Sequence, residues 1–467
     1  MSTKLTFAIH TLGCKVNTYE SDAMAERLRA SGFIERDFTE KADIYIINTC
    51  TVTNIADRKS RQMLRRARKL NPNALIVAAG CYVDDAIKNE KLEELMAEHV
   101  IDVAVSNKDK LKIVELVNEK VRKTDNRLNP DKNNCCKIYA DHVDEGGMQT
   151  VIVSADAAQT AVVNTDSAQF LTELDGHSRA FIKVQDGCNM YCSYCIIPYV
   201  RGPLKSRPVE DVVKEVRLLG EKGIAEAVIT GIHLSSLRNG LLDIIAGIEK
   251  IDSIKRIRLG SLEPTLITDE FVSELKKYKK LCPHFHLSLQ SGCDEILKRM
   301  NRHYTAEQYA ASCDILRKYY DHPAITTDII VGFPGETEEQ FKTTCDFAEK
   351  TGFYEAHVFK YSRRRGTPAD KMAGQLSDAE KSARSEELIK ITSRLSKEFR
   401  EYYIGKQVEM LSEELIEIDG VSYETGYTPE YVRCIRPSSV LHPNSIISGK
   451  GLQIIQQNVV DESILLV

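Results

Sequence analysis

The chain has 467 residues, 28% of them charged, and a net charge of -5. That length exceeds one ordinary core and predicts two or three domains, while apolar runs no longer than a strand, such as Ala227-Val228-Ile229, argue against a membrane span. Thirteen cysteines and a strand-like pattern straight after Met1-Ser2-Thr3-Lys4 argue against a secreted disulfide framework; they predict a cytoplasmic protein whose thiolates are ligands or small packing groups. The mild negative charge leaves nucleic-acid binding open, because phosphate recognition depends on where cations cluster.

In chain order, helix periods follow strand periods three times: residues 5–10 then 18–30, 43–48 then 55–70, and 74–79 then 83–98. This rhythm predicts an α/β domain over residues 1–125, an open parallel sheet with helices on its faces. Each predicted strand ends just before a cysteine, in Thr11-Leu12-Gly13-Cys14, Asn48-Thr49-Cys50 and Ala79-Gly80-Cys81. The carboxyl ends of parallel strands share one edge, so Cys14, Cys50 and Cys81 are expected to meet there as a ligand set. Three buried packing cysteines are the alternative; the small neighbours Gly13, Thr49 and Gly80 favour a site where backbone approaches a bulky group. The helix after Cys50 carries Arg58, Lys59, Arg61, Arg65, Arg66, Arg68 and Lys69, either a phosphate-facing surface or a solvated face.

Residues 126–177 read as a linker with an insertion, containing a candidate hairpin (151–154 with 160–163) and the bystander thiols Cys135 and Cys136. From 178 to 402 the alternation resumes six times, with strands near 180–184, 225–230, 255–259, 284–289, 325–331 and 355–361. Six such units predict a partial (β/α)6 barrel with its reactive groups on the loops at one mouth. The loop after the first strand is Asp186-Gly187-Cys188-Asn189-Met190-Tyr191-Cys192-Ser193-Tyr194-Cys195. Three thiolates so spaced form a compact claw for an iron-sulfur cluster and leave one cubane iron open to a substrate such as S-adenosylmethionine. Zinc is the alternative, but it asks for a fourth nearby ligand and two-residue spacing on both sides. The later loops offer Gly231-Ile232-His233, Ser261-Leu262-Glu263, Gln290-Ser291-Gly292 and Gly332-Phe333-Pro334-Gly335-Glu336, the last of which also reads as a plain turn. His233 and His286 also suit structural roles, and Cys282, Cys293, Cys313 and Cys345 read as packing residues.

Residues 377–403 predict a long connecting helix, and 403–467 a small β-barrel or sandwich. In that last module Tyr423, Tyr427, Tyr431, Arg433 and Arg436 interleave rings with cations, as RNA binding or an ordinary β-domain rim would.

Assembled, these motifs resemble the methylthiotransferases of the radical S-adenosylmethionine superfamily, over nearly the whole chain. The resemblance rests on Thr11-Leu12-Gly13-Cys14-Lys15-Val16-Asn17, Ile47-Asn48-Thr49-Cys50-Thr51-Val52-Thr53, Gly80-Cys81, the claw, Arg201-Gly202 and Ser206-Arg207, and more loosely on Gly426-Tyr427-Thr428-Pro429-Glu430-Tyr431-Val432. It implies a C-terminal TRAM domain that binds RNA, and two 4Fe-4S clusters: a radical one on Cys188, Cys192 and Cys195, and an auxiliary one on Cys14, Cys50 and Cys81. It further implies S-adenosylmethionine as cofactor, with Tyr194, Gly231, Glu263, Gln290 and Val331 as candidate contacts. A tRNA substrate and an electron donor such as a flavodoxin or ferredoxin follow as partners. The continuation Lys15-Val16-Asn17-Thr18-Tyr19-Glu20-Ser21 is most similar to the branch acting on N6-threonylcarbamoyladenosine beside the anticodon. Branches acting on isopentenyladenosine or on a ribosomal-protein aspartate are alternatives, as is a non-catalytic iron-sulfur RNA-binding protein. The stretch 149–169 departs from the family pattern.

Overall fold

Strand and helix periods become real elements where each buried face finds a partner. The computed structural model describes residues 4–97, 101–124, 171, 174, 178–237, 239–456 and 463–467. The predicted hairpin, Cys135 and Cys136 lie outside the described residues. The chain divides into two compact units, residues 1–51 with 55–171, and 52–54 with 172–467.

The first unit is built on β1 (Thr6–Thr11), β2 (Ile34–Glu35), β3 (Ile44–Thr49), β4 (Leu75–Gly80) and β5 (Val103–Val105). They form one sheet in the order β2-β1-β3-β4-β5 with every pairing parallel. Successive residues of β3 and β4 feed opposite cores: Tyr45, Ile47, Ile76 and Ala78 pack on one face, Ile44, Ile46, Val77 and Ala79 on the other. A strand buried on both faces reads as a continuous apolar run, which is why Ile44–Thr49 is legible in sequence. The two short edge strands, β2 and β5, are additions to the expected three.

The second unit begins with β6 (Arg179–Asp186), to which β7 (Lys205–Ser206) adds antiparallel. Then come β8 (Glu226–Gly231), β9 (Arg256–Leu259), β10 (His284–His286), β11 (Ala324–Val331) and β12 (Glu355–Lys360). The ladders β6-β8-β9 and β10-β11-β12 are parallel, and the parallel bridges Ile257 to Leu281 and Leu262 to Leu287 join them into one six-stranded arc. This is the expected open barrel. The helix Asp378–Glu401, opened by a Ser377/Glu380 capping box, is its outer wall more than a connector. Arg400 pairs with Glu355 at 2.8 Å and Lys360 donates to Ser382 at 3.2 Å, pinning the helix along β12.

The C-terminal strands are β13 (Gln407–Ile418), β14 (Val421–Tyr427), β15 (Arg433–Pro437), β16 (Ile446–Lys450), β17 (Gln453–Gln456) and β18 (Ser463–Leu466). Their order is β16-β13-β14-β15-β18-β17. The two edge strands are consecutive in sequence, joined through Gly451 and Leu452, so the sheet curls round upon itself. This module plugs the end of the arc where the strands begin. Arg256, first residue of β9, donates to the carbonyls of Tyr427 (2.7 Å) and Glu409 (3.0 Å). Arg258 is fully buried, pairs with Glu226 at 2.8 Å and donates to the carbonyls of Pro429 and Thr428. Val408, Met410, Val432, Cys434 and Leu465 share a core with Ala324, Tyr354 and Phe399.

The plug gives several of the aromatic and cationic residues partners within the protein. Tyr427 and Tyr431 stack on each other at 4.5 Å, with the Arg179 guanidinium over both rings and that of Arg258 over Tyr431. Arg436 is held by Glu424 and faces His442. Tyr427 and Tyr431 thus meet Arg179 and Arg258 where the plug joins the arc, and cation-ring pairs of that kind look the same in sequence as an RNA platform.

Candidate functional site

In the first unit, register decides where the three thiols fall. Thr49 and Gly80 are directly paired across β3 and β4, so Cys50 and Cys81 leave adjacent strand ends together. Thr11 pairs with Asn48, and Cys14 follows three residues on, at the start of helix Lys15–Ala30. Cys81 opens the helix Cys81–Lys88. The glycines explain the closeness. A Cβ on Gly13 would stand 2.9 Å from the Cys50 Cβ, and one on Gly80, at φ +101°, would meet the Thr49 carbonyl at 2.7 Å. Amides brace the edge: Asn17 donates to the carbonyls of Leu12 (2.7 Å) and Thr49 (3.0 Å), and Asn48 donates to the Asn17 carbonyl and to Ser21. Asn107 reaches Cys81 Sγ at 3.5 Å and Ser60 donates to the Cys50 carbonyl.

In the second unit the claw follows β6. Gly187 lies at φ +70°, and any Cβ there would fall 2.0 Å from the Pro203 carbonyl, so the loop closes only with glycine. Cys188 N–H donates to the Gly202 carbonyl, Arg201 pairs with Asp186 at 3.0 Å, and Gln185 spans the loop roots by bonding the Gly187 carbonyl and the His233 N–H. The Arg201-Gly202 motif thus buttresses the claw. Burial pushes the Cys195 thiol up to about 12, helped by the neighbouring Cys192, and raises Cys188 as well. Thiols so placed are protonated until a cation displaces the proton. Arg302, almost fully buried, donates to Cys192 Sγ at 3.2 Å while Glu263 at 2.5 Å and the Tyr304 hydroxyl at 3.0 Å hold its other nitrogens.

A cavity of about 310 Å³ opens at this mouth. The three claw cysteines line it together with Tyr194, Glu263 and Gln290, three of the five expected cofactor contacts. Gln290 adopts φ +69°, a left-handed conformation uncommon outside glycine. Gly231 and Val331 are not in the lining, where their neighbours Ile232, His233 and Ile330 stand; Val331, next to Ile330 on the same strand, faces the other way and is fully buried. The Gly332 to Glu336 stretch is an internal turn: the Glu336 carboxylate accepts the Gly332 N–H (2.7 Å) and Arg384 (2.8 Å). Arg302, Ser288, Asp328, Ile330 and Phe359 also line the cavity, and sequence reasoning passed over them since no short motif marks them. Cys282, Cys293, Cys313 and Cys345 are buried, as packing residues should be.

All eleven described cysteines are free thiols. Six of them fall into two sets of three at strand ends of two different units, a soft donor set that fits iron and sulfide. A partial (β/α)6 arc with a three-cysteine claw at its carboxyl mouth defines a radical S-adenosylmethionine enzyme. The Radical SAM superfamily matches residues 182–348, and the uncharacterized protein family UPF0004 matches residues 6–105. The threonylcarbamoyladenosine tRNA methylthiotransferase MtaB of Bacillus subtilis (strain 168) is 36% identical over 92% of this chain and 90% of its own length. The Aquifex aeolicus (strain VF5) protein of the same description is 33% identical over 86% and 92%. A tRNA-2-methylthio-N(6)-dimethylallyladenosine synthase of Lachnoclostridium phytofermentans is 32% identical over 90% and 87%. Among solved structures, the radical S-adenosylmethionine methyltransferase TsrM of Kitasatospora setae aligns with a TM-score of 0.53 at 15% identity, over 79% of this chain and 77% of that one, a likeness of fold alone. The chain belongs to the radical S-adenosylmethionine methylthiotransferase family, whose cofactors are S-adenosylmethionine and 4Fe-4S clusters.

Proposed function

We propose that this enzyme converts N6-threonylcarbamoyladenosine next to the tRNA anticodon to its 2-methylthio derivative. The observation that carries the reading is the pairing of two thiol triads on two units in a chain 36% identical to a protein described by that activity. Cys188, Cys192 and Cys195 would hold the radical cluster, and Cys14, Cys50 and Cys81 the auxiliary one. When bound, these groups supply the electron that splits S-adenosylmethionine and the sulfur that is inserted at adenosine C2. The chain's own residues bind, orient and dry the site. Ile232, Ile330 and Phe359 keep the cavity apolar, while Glu263, Gln290 and Tyr194 offer hydrogen bonds to an amino-acid and nucleoside ligand. We assign residues 1–125, 178–402 and 403–467 to the auxiliary-cluster, radical and TRAM-like domains, with 126–177 as linker.

Support for RNA as the substrate comes from the helix Asn54–Leu70. Ser60, Leu64 and Ala67 bury one face, leaving Arg58, Lys59, Arg65, Arg66 and Lys69 exposed on the other. Affinity for tRNA is expected to fall steeply with salt, and the Arg65→Ala/Arg66→Ala variant to bind more weakly without changing which base is modified. Truncation before Val408 is not a clean test, because the C-terminal plug completes the barrel's core. The deciding assay offers reconstituted enzyme threonylcarbamoyl-modified tRNA, isopentenyl-modified tRNA and ribosomal protein in parallel, read by nucleoside and peptide mass spectrometry. Preference for the isopentenyl substrate would reassign the branch, and methylthiolation of ribosomal protein alone would overturn the RNA reading. No helix among the described residues is long and apolar enough to cross a membrane.

A further inference from the structure

Below the claw, on the inner face of the β10-β11-β12 ladder, three side chains converge that the proposed chemistry does not use. Asp328 and His357 are direct partners across β11 and β12. His286 is the partner of Thr326, two residues before Asp328 and therefore on the same face of the sheet. One ligand atom from each of His286, Asp328 and His357 lies within 4.8 Å of the other two.

We propose that His286, Asp328 and His357 bind a divalent first-row transition-metal ion on the wall of the barrel chamber, separate from the six cysteines. Two imidazoles and one carboxylate are a donor set for zinc, manganese or ferrous iron, and three protein ligands leave positions open to exchangeable water. The orientation of His286 fits that role. Its Nδ1 stands 3.0 Å from the Thr326 hydroxyl, which fixes the ring and turns Nε2 toward Asp328. Metal-bound histidines are oriented in this way by a partner on the other nitrogen. Nε2 and the Asp328 carboxylate are 3.5 Å apart, long for a hydrogen bond and close to the separation of two ligands that share a small cation. The rings of His286 and His357 lie nearly parallel with centroids 6.1 Å apart, which leaves a gap between them. His286 is largely covered, whereas Asp328 is half-open and His357 exposed, so solvent and ions reach the cluster from the open side. Asp328 also lines the cavity at the claw, so an open coordination position would face the chamber.

The probe is zinc alone, added to enzyme already carrying both clusters and then desalted, with iron and zinc counted per chain. The expected result is about one zinc per wild-type chain with iron unchanged, and an X-ray absorption edge showing only nitrogen and oxygen neighbours at about 2.0–2.1 Å. The His286→Gln/His357→Asn variant should keep its iron and lose the zinc. Absence of zinc from the wild type, equal zinc in both proteins, or sulfur neighbours at about 2.3 Å would overturn the proposal, the last by placing the ion on cysteines. If the double variant fails to hold iron, the Asp328→Asn single variant, which preserves shape and hydrogen bonding, is measured in its place under the same criterion. None of these outcomes bears on the tRNA substrate.

Discussion

The two cysteine triads assemble the same set of three thiols by opposite routes. The claw packs its thiols into the short loop from Cys188 to Cys195 and shapes them with one glycine and one buried guanidinium. The triad of Cys14, Cys50 and Cys81 is spread along the first unit and exists only because three parallel strands end in register. A local site depends on its own loop, whereas a site made by topology depends on the whole sheet. Damage should therefore spread differently through the two.

The largest effects test whether the triads are separable. Replacing Cys188, Cys192 and Cys195 with alanine should lower reconstituted iron from about eight to about four per chain and abolish cleavage of S-adenosylmethionine. Replacing Cys14, Cys50 and Cys81 should remove a similar amount of iron, spare the cleavage and abolish methylthiolation. Loss of all iron in either variant, measured by metal analysis with 5′-deoxyadenosine release, would show the sites to be coupled.

Next come the two glycines. Gly187→Ala must both leave φ +70° and escape a carbonyl 2.0 Å away, so it should cost the claw its cluster while the first unit keeps its own. Gly80→Ala strains β3 and β4 at their paired ends, so it should lower the melting temperature of the first unit as well as its iron. Backbone strain of this kind costs about 1–3 kcal/mol, to which the clash adds. Iron content with calorimetry would show whether the damage stays local in one case and spreads in the other.

A smaller contrast appears with pH. In the first unit, burial raises the Asp22 carboxyl to about 7, opposed by Arg29. A folded-state value above the unfolded one means that stability is greatest in acid and is lost as pH rises toward and through 7. Asp22→Asn should therefore stabilise the first unit at pH 8, by about 1–2 kcal/mol. Glu424 in the C-terminal plug goes the other way. Burial alone would raise it, but Ser412, the His442 N–H and Arg436 outweigh that and hold it at about 2. Its contribution is present above the unfolded carboxylate value and disappears as pH falls from about 4.5 through 2. Calorimetry of the cluster-free protein across pH 3–8, on the order of one transition per unit, should show the two transitions shifting in opposite directions.

The smallest expected effect concerns Arg302. A guanidinium that donates to a ligating thiolate favours the reduced, more negative cluster, so Arg302→Gln should move the radical cluster's potential downward. About 1 kcal/mol of hydrogen bonding corresponds to roughly 43 mV for one electron. The auxiliary cluster should be unmoved, and equal shifts in a spectroelectrochemical titration would refute the assignment.

The sequence by itself determined the alternation of strands and helices, the claw, and the strand-end placement of Cys14, Cys50 and Cys81. Each of these is written either in neighbouring residues or in a strand period that recurs because both faces of Ile44–Thr49 are buried. It could not tell which member of an adjacent pair lines the cavity, as Ile330 does and Val331 does not. A shift of one residue turns a side chain to the other face, and only the assembled arc decides which face is inside. Tertiary structure alone decided that Tyr427 and Tyr431 stack under Arg179 at the barrel's base, since an aromatic ring attracts a guanidinium in the same way that it stacks a base. It likewise brought Arg302 to Cys192, and His286, Asp328 and His357 to one another, from segments scattered along the chain. Contacts of that kind are set by strand order and register, which no short stretch of residues encodes.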